Sequence, residues 1–281
     1  MARVLVLGGY GLIGSTCLRA LRVAGFEVVG MGRSAASAQA VAPDVDWVIR
    51  DIPSVSVEEW CGILNGVDVV VNASGVLQDG ARDDVEAIHV TAVERLVAAT
   101  SGCRLVQISA AGVSAEASTA FFRTKARGDA AIATAGDWVI LRPTLVLAPE
   151  AYGGTALLRA AAAFPGVLPK VLPEAQVQTV SVEDVAQAVV AAVEGRVPSG
   201  TIADLTEPEA RPLPDLIAAI RRWQGWPEAR LRVPVPGALL RLIGWGADRL
   251  GHLGWRSPLR TTALEVLKDG VRGDPGAWEA A

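Results

Sequence analysis

The apolar run Arg3-Val4-Leu5-Val6-Leu7 leads directly into Gly8-Gly9-Tyr10-Gly11-Leu12-Ile13-Gly14. That order predicts a short buried strand, a glycine turn and the start of a helix. The glycines stand at G-x-x-G-x-x-G, and each has a physical task. Gly8 permits a tight turn, Gly11 lets backbone approach a pyrophosphate, and Gly14 lets helix and strand pack closely. The unpaired N–H groups at the start of the helix, including those of Leu12 and Ile13, then carry a partial positive charge toward an anion. A glycine triplet alone is a weak signal. Here a helix over Leu12 to Ala24, ended by Gly25, and a second strand, Glu27 to Met31, follow at the distances a dinucleotide-binding unit requires.

Alternation continues through the first two-thirds of the chain. Strands are expected at Val45–Ile49, Val67–Val71, Arg104–Ile108, Trp138–Leu141 and Gly200–Leu205. Helices are expected at Val57–Leu64, Asp83–Ala99, Ser118–Ala135 and Val182–Val193. Short buried strands alternating with helices predict a parallel, doubly wound α/β sheet of Rossmann type. After Pro143 turn residues multiply around one helix, Thr155–Phe164, and the tail from Glu207 onward reads as helical and rich in Trp, Arg and Pro. The expected division is a dinucleotide-binding domain of residues 1–143 plus 180–206. Residues 144–179 plus 207–281 form a smaller, mainly helical lobe over the C-terminal ends of the strands, where ligands bind in such sheets.

Composition narrows the partners. With 26 basic and 30 acidic residues the net charge is −4, which leaves no basic footprint for nucleic acid. Cys17, Cys61 and Cys103 are odd in number and lack metal-ligand spacing, as in a reduced, cytoplasmic protein without a metal site. His89 and His252 have no ligand partner one helical turn away, and a lone helical histidine usually has its hydrogen bonds satisfied. Met1-Ala2-Arg3 leaves no room for a signal peptide before the first strand, and no uncharged apolar run reaches the ~18–20 residues of a spanning helix.

With these motifs in view, the chain resembles an extended or atypical short-chain dehydrogenase/reductase, close to the NmrA-like and complex-I-subunit-like branch. The resemblance rests on the glycine triplet, Asp51-Ile52, Asn72-Ala73-Ser74-Gly75, Lys125, Leu141-Arg142-Pro143 and Val180 to Val185. Val233-Pro234-Val235-Pro236 before an apolar helix is similar to bacterial members whose nucleotide domain precedes a DoxX-like membrane module, which this sequence does not include. The resemblance implies that Asp51 and the Ile52 backbone contact adenine. It also implies that Asn72 to Gly75 line the cleft under the ribose, and that Pro143 lies near the nicotinamide amide. Read singly, each is ordinary cap or loop chemistry; in this order they describe a cofactor site with Gly8, Tyr10, Gly11, Leu12, Ile13 and Gly14.

NAD-selective sites place a carboxylate at the end of the second strand. This chain has Gly30-Met31-Gly32-Arg33-Ser34 there. A guanidinium pairs with a 2′-phosphate, so Arg33 and Ser34 favour NADP(H), with NAD(H) as the alternative.

The family's usual chemistry needs Tyr-x-x-x-Lys on one helix face. Here the run is Phe121-Phe122-Arg123-Thr124-Lys125, so the lysine is kept and the tyrosine is not. Ala111 falls at the place of the usual serine, and Ser109 lies one or two residues early. Three readings stay open. Lys125 acts as the acid/base of an oxidoreductase; or the chain is a non-catalytic NADP(H) sensor or assembly protein; or Tyr152, Ser114 or Thr124 substitutes as donor. Leu145, Val146, Leu157, Phe164, Val167 and Leu168 would line an apolar pocket for a small, quinone-like ligand. Oligomeric state is left between monomer and homodimer.

Gly237 to Trp255 carries Leu239, Leu242, Ile243, Leu250 and Leu253 at helical spacing, with Arg241 and Arg249 elsewhere on the wheel. The expectation is that this stripe packs on the lobe. The alternative is peripheral contact with the inner face of a membrane through the Trp/Arg-rich tail.

Overall fold

The computed structural model describes residues 1–81, 83–151, 153–252 and 260–281, with the side chains of 250–252 set aside. Strands β1 (Arg3–Leu7), β2 (Glu27–Gly32), β3 (Asp46–Ile49), β4 (Val69–Asn72), β5 (Arg104–Ile108) and β6 (Trp138–Pro143) alternate with helices. These are α1 (Leu12–Val23), α2 (Ala35–Val41), α3 (Val57–Ile63), α4 (Ala92–Ala99) and α5 (Ala120–Ile132). Beyond β6 come β7 (Leu145–Leu147), α6 (Gly153–Ala162), β8 (Val167–Lys170), β9 (Gln176–Val177) and β10 (Thr179–Ser181). They are followed by α7 (Val182–Val193) and β11 (Thr201–Leu205). The tail holds β12 (Arg211–Pro212), α8 (Leu213–Trp223), β13 (Leu231–Pro234), α9 (Gly237–His252), α10 (Thr261–Asp269) and α11 (Gly276–Glu279).

Seven strands form one sheet in the order β11-β6-β5-β4-β1-β2-β3, every pair parallel. The winding reverses between β1 and β4, which opens a crevice at their C-terminal ends. The expected doubly wound α/β sheet is therefore present. Strand periodicity explains its two cores. Val4, Val6, Val71, Val106, Val139 and Leu141 face one side and pack with Cys17, Leu18 and Leu21 of α1 and with α7. Leu5, Leu7, Val70, Leu105 and Ile140 face the other, under Trp60, Leu96 and Ile132. Each such side chain, fully buried, contributes roughly 1.5–3 kcal/mol. Burial also pushes the Cys17 thiol up to about 12, so Cys17 is a packing residue. A third cluster, built on Leu158, Leu168, Val177, Leu213 and Ile217, joins α6, β8, β9 and α8.

Several local expectations are corrected. The helix expected over Asp83–Ala99 starts at Val85 and runs unbroken to Ala99, with a π-helical turn at Ala87–Thr91 leading into α4. Helix α2, which has no strong apolar stripe to announce it, forms under a Ser34 cap that accepts the Ser37 N–H at 3.2 Å. The tail is not wholly helical, since β13 pairs in parallel with β8. The apolar stripe of α9 also faces away from its expected packing. Leu240, Gly244 and Ala247 turn inward, while Leu239, Leu242 and Ile243 are exposed. Leu253 and Trp255 lie outside the described residues.

Candidate functional site

At the reversal point the loops after β1 and β4 pack against each other. Gly8 has φ +69°, and a Cβ on it would lie 2.9 Å from the Ala73 carbonyl oxygen. Only glycine accepts both conditions. A Cβ on Gly14 would overlap the Gly8 carbonyl, so this glycine sets how closely α1 approaches the strand. The Gly11 N–H donates to the Gly8 carbonyl at 2.8 Å. Gly11 is also the N-cap of α1, without a side chain to cap it and with no acid in the first turn. The amides of Leu12, Ile13 and Gly14 therefore begin the helix facing a bare, positively polarised end.

A second group of side chains gathers at the end of β2. Tyr10 lies across Gly32, where any side chain would collide with its ring, and its hydroxyl accepts the Arg33 N–H at 3.1 Å. The Arg33 guanidinium meets the Asp83 carboxylate at 2.8 Å. That hydrogen bond is the main reason its pKa is raised, and Asp51 adds a smaller charge effect. Ser34 is the helix cap described above, Asp51 precedes the 3-10 turn Ile52–Ser54, and Ile52 is buried. The structure thus brings Tyr10, Arg33 and Ser34 to one strand end, with Asp51 near enough to act on Arg33. The Arg33–Asp83 pair was not foreseen: fifty positions separate the two residues, and nothing in the sequence pairs them.

The loop after β4 is shaped by Asn72. Its amide donates to the Gln107 side chain at 2.8 Å, and its oxygen accepts the Ser74 N–H at 3.1 Å. The Ala73 N–H donates to the Leu7 carbonyl at 3.1 Å. Gly75 then passes over the key groups: a Cβ there would be 3.2 Å from His89 Nε2 and 3.4 Å from Lys125 Nζ. Pro143, across the sheet, accepts the Ala111 N–H at 3.0 Å.

Lys125 is buried, and Nζ donates to the Ile108 carbonyl at 2.8 Å. Desolvation pulls its pKa from 10.5 to about 8, partly opposed by the Asp129 charge. Asp129 stands one helical turn on. Its Oδ2 accepts from Ser109 Oγ at 2.9 Å and from Arg142 Nε and Nη2 at 3.0 and 2.9 Å. Burial raises its pKa, and Ser109 and Arg142 oppose the rise. Sequence reading missed this carboxylate; the i, i+4 spacing from Lys125 is the signal that could have found it. Ser109 is committed to Asp129.

His89 sits on the π-helical turn, 5.6 Å from the Phe121 ring in an edge-on arrangement. Nε2 accepts the Val76 N–H at 3.2 Å, so Nδ1 carries the proton and donates to Thr124 Oγ1 at 2.9 Å. Thr124 in turn donates to the Phe121 carbonyl at 3.1 Å. Burial, with the Lys125 charge second, drives the His89 pKa down to about 2, so the ring is neutral. Of the three substitute donors, Thr124 is spent in this chain and Ser114 is bonded to Glu116 at 2.7 Å. Tyr152 lies outside the described residues, and the His252 side chain is set aside.

The residues expected to line an apolar pocket do not gather. Leu168 belongs to the third core, with Leu145 packed on it; Val146 joins the α1/α7 core; Phe164 is exposed. A cleft of about 640 Å³ opens elsewhere, between α7 and Trp278, and shares no lining residue with this site. Among the described residues there is no side-chain cluster able to hold a metal, and no helix is long and apolar enough to cross a membrane.

A family model described as NAD(P)H-binding matches residues 8–196, from the first glycine to just past α7. No curated protein matches the sequence. Among solved structures, the Bordetella bronchiseptica enzyme WbmG in complex with NAD is similar with a TM-score of 0.74. Its identity is 16% over 99% of this chain and 86% of that one. WbmH of the same organism, in complex with NAD+, gives 0.67 at 20% identity, covering 94% and 97%. A short-chain dehydrogenase/reductase superfamily protein from Agrobacterium tumefaciens with bound NAD gives 0.65 at 18%, covering 83% and 85%. At these identities what is shared is the fold, a Rossmann-type α/β sheet. The glycine cradle, the uncapped start of α1 and the match over two-thirds of its length place this chain in the NAD(P)H-binding family.

Proposed function

We propose that the chain is an NADP(H)-preferring oxidoreductase in which Lys125, in place of a tyrosine, holds and delivers the proton to the substrate. The observation that carries this reading is the placement of Lys125. A buried amine with its pKa near 8 lies beneath Gly75, at the crevice where the sheet reverses. When bound, the nicotinamide supplies or accepts a hydride. The amides of Leu12, Ile13 and Gly14 would hold the pyrophosphate, and Asp51 and Ile52 would contact adenine. Asn72, Ala73, Ser74 and Gly75 would underlie the ribose, and Pro143 would flank the carboxamide. Arg33 and Ser34 would receive the 2′-phosphate, whereas WbmG and WbmH are in complex with NAD. Residues 144–179 and 207–281 would form the lobe that encloses the substrate.

The proton assignment follows by elimination within the site. Phe121 has no proton to give. His89 is neutral, with both nitrogens engaged, and Thr124 is spent on His89 and the Phe121 carbonyl. Among the described residues of the site, Lys125 alone remains near the balance of its charged and neutral forms at neutral to mildly basic pH. A second reading, a non-catalytic NADP(H) sensor, is favoured by one observation: the Lys125 proton already has an acceptor in the Ile108 carbonyl. The two readings separate by experiment. NADPH oxidation is followed over a panel of ketones, enones and quinones, for the native chain and Lys125→Met. Turnover that is lost in Lys125→Met while NADPH binding is kept supports the enzyme. Tight NADPH binding with no turnover of any acceptor supports the sensor. Turnover indifferent to Lys125 refutes both.

A further inference from the structure

We infer that the outer face of α9, with the adjoining β13, docks onto the surface of a bilayer that contains anionic lipid. The inference does not depend on the proposed enzymatic reading. Helix α9 is apolar on the side that faces water. Its inward residues are few: Leu240 and Ala247 are buried, and Gly244 meets α10, where a Cβ on it would lie 3.1 Å from Leu264. Its outward residues are Leu239 (46% exposed), Leu242 (63%), Ile243 (39%) and Trp245 (55%). At about 100° per residue they cover an arc of roughly 160°. Four large apolar side chains on the solvent face of one helix are not needed for the fold, which takes its packing from the opposite face.

Strand β13 immediately precedes α9 in the chain. Leu231 (61%) and Val233 (44%) are exposed on one side of that strand. The Leu231 N–H donates to the Gly166 carbonyl at 3.2 Å, which brings the strand beside exposed Phe164.

Charge selects the occupant. Although the chain is net acidic, this segment is basic: Arg222, Arg230, Arg232, Arg241 and Arg249 are exposed, against Glu228. Asp248 does not offset them, because it pairs with Arg260 at 2.9 Å. The Arg249 guanidinium lies 4.5 Å over the Trp245 ring, and Arg241 flanks the same arc. A second copy of the chain set symmetrically on this face would bring these arginines against their own copies. A bilayer places lipid phosphates at the level of the arginines and acyl chains at the level of Leu239, Leu242 and Trp245. An interfacial helix sinks only about 5–10 Å, so no spanning segment is required.

The full-length protein is sedimented with vesicles of phosphatidylcholine alone and of phosphatidylcholine with phosphatidylglycerol, at low salt. The expected result is co-sedimentation with the anionic vesicles at least about tenfold stronger than with the neutral ones. Neutralising two arginines in R241A/R249A weakens it by about fivefold per charge. The pair L242S/W245S abolishes it, with circular dichroism and NADPH binding unchanged. V23S, which removes an exposed valine on α1, binds vesicles as the native chain does. Three results overturn the inference. The native protein fails to sediment with anionic vesicles, or both double variants sediment as it does. Alternatively, light scattering shows a dimer that L242S/W245S dissolves while vesicles are ignored, which makes the occupant a second copy. Retention on an immobilised acidic polypeptide without vesicle binding likewise overturns it in favour of an acidic protein partner.

Discussion

The Arg33–Asp83 pair makes a quantitative prediction about cofactor choice, because any 2′-phosphate at the end of β2 must share the guanidinium with Asp83. The Arg33 charge is secure, its pKa being raised by that same carboxylate. Replacing it by Arg33→Ala removes a charge-assisted contact to phosphate worth about 1.5–3 kcal/mol, so NADPH affinity falls roughly 10- to 150-fold and NADH affinity barely moves. Asp83→Asn acts in the opposite direction. The two side chains are 36% and 17% exposed, so the pair is partly screened and its breakage is worth only about 0.2–1 kcal/mol. NADPH should then bind roughly 1.4- to 5-fold more tightly, again without a matching gain for NADH. In the double variant the part of the Asp83 effect that runs through Arg33 should be lost. Calorimetry with both reduced cofactors on the four proteins measures each of these values. Equal affinity of the native chain for NADPH and NADH refutes the reasoning, as does an Asp83 effect that is undiminished without Arg33.

Gly11→Val should fold normally by circular dichroism, since its Cβ would meet only the Gly8 carbonyl oxygen at 3.2 Å, yet it should not bind dinucleotide. Gly14→Val should instead lose about 1–3 kcal/mol or more of stability in urea titration, because its Cβ overlaps backbone. Phe121→Tyr should give measurable but partial ketone reduction with NADPH, as Lys125 is one turn away and Ala111 supplies no hydroxyl; no gain would show that Phe121 does not occupy the donor's place. Lys125→Met should stabilise the fold near neutral pH by about 1–3 kcal/mol. The folded-state pKa of Lys125 is about 8 against 10.5 unfolded, so the cost of its buried charge is full below 8. That cost fades as pH rises to 10.5, and the advantage of the variant should fade with it in thermal melts across that range.

Strand positions were legible because a buried parallel strand is a short apolar run with few alternatives. β1, β5 and α7 fall where their residues place them, Arg3–Leu7, Arg104–Ile108 and Val182–Val193. The misses share a cause. Strands β7 to β10, β12 and β13 are two to four residues long and exist only through partners distant in sequence, as β13 exists through β8. The π-helical turn at Ala87–Thr91 answers a tertiary demand as well: Gly128 of α5 sits so close to the His89 carbonyl that a Cβ would collide with it.

The site divides along the same line. The glycines could be read because their spacing is set by local backbone, and Asn72 and Lys125 because the family resemblance marks them. Asp83, Asp129 and Arg142 could not, because their partners come from other strands and loops. The tail shows a sharper limit. A helical wheel finds the two faces of α9 but carries no sign that says which face is inside. Apolar content points one way: Leu239, Leu242 and Ile243 make the more hydrophobic stripe. Size points the other way, because α10 approaches closely at Gly244, where even a Cβ would push against Leu264 and Thr261. Side-chain volume decides, since a large residue at a close helix crossing forces the backbones apart, whereas an exposed leucine costs only its unburied surface. The bulky stripe is consequently left outside beside Arg241 and Arg249. The docking on an anionic bilayer proposed above would use this stripe together with its arginines.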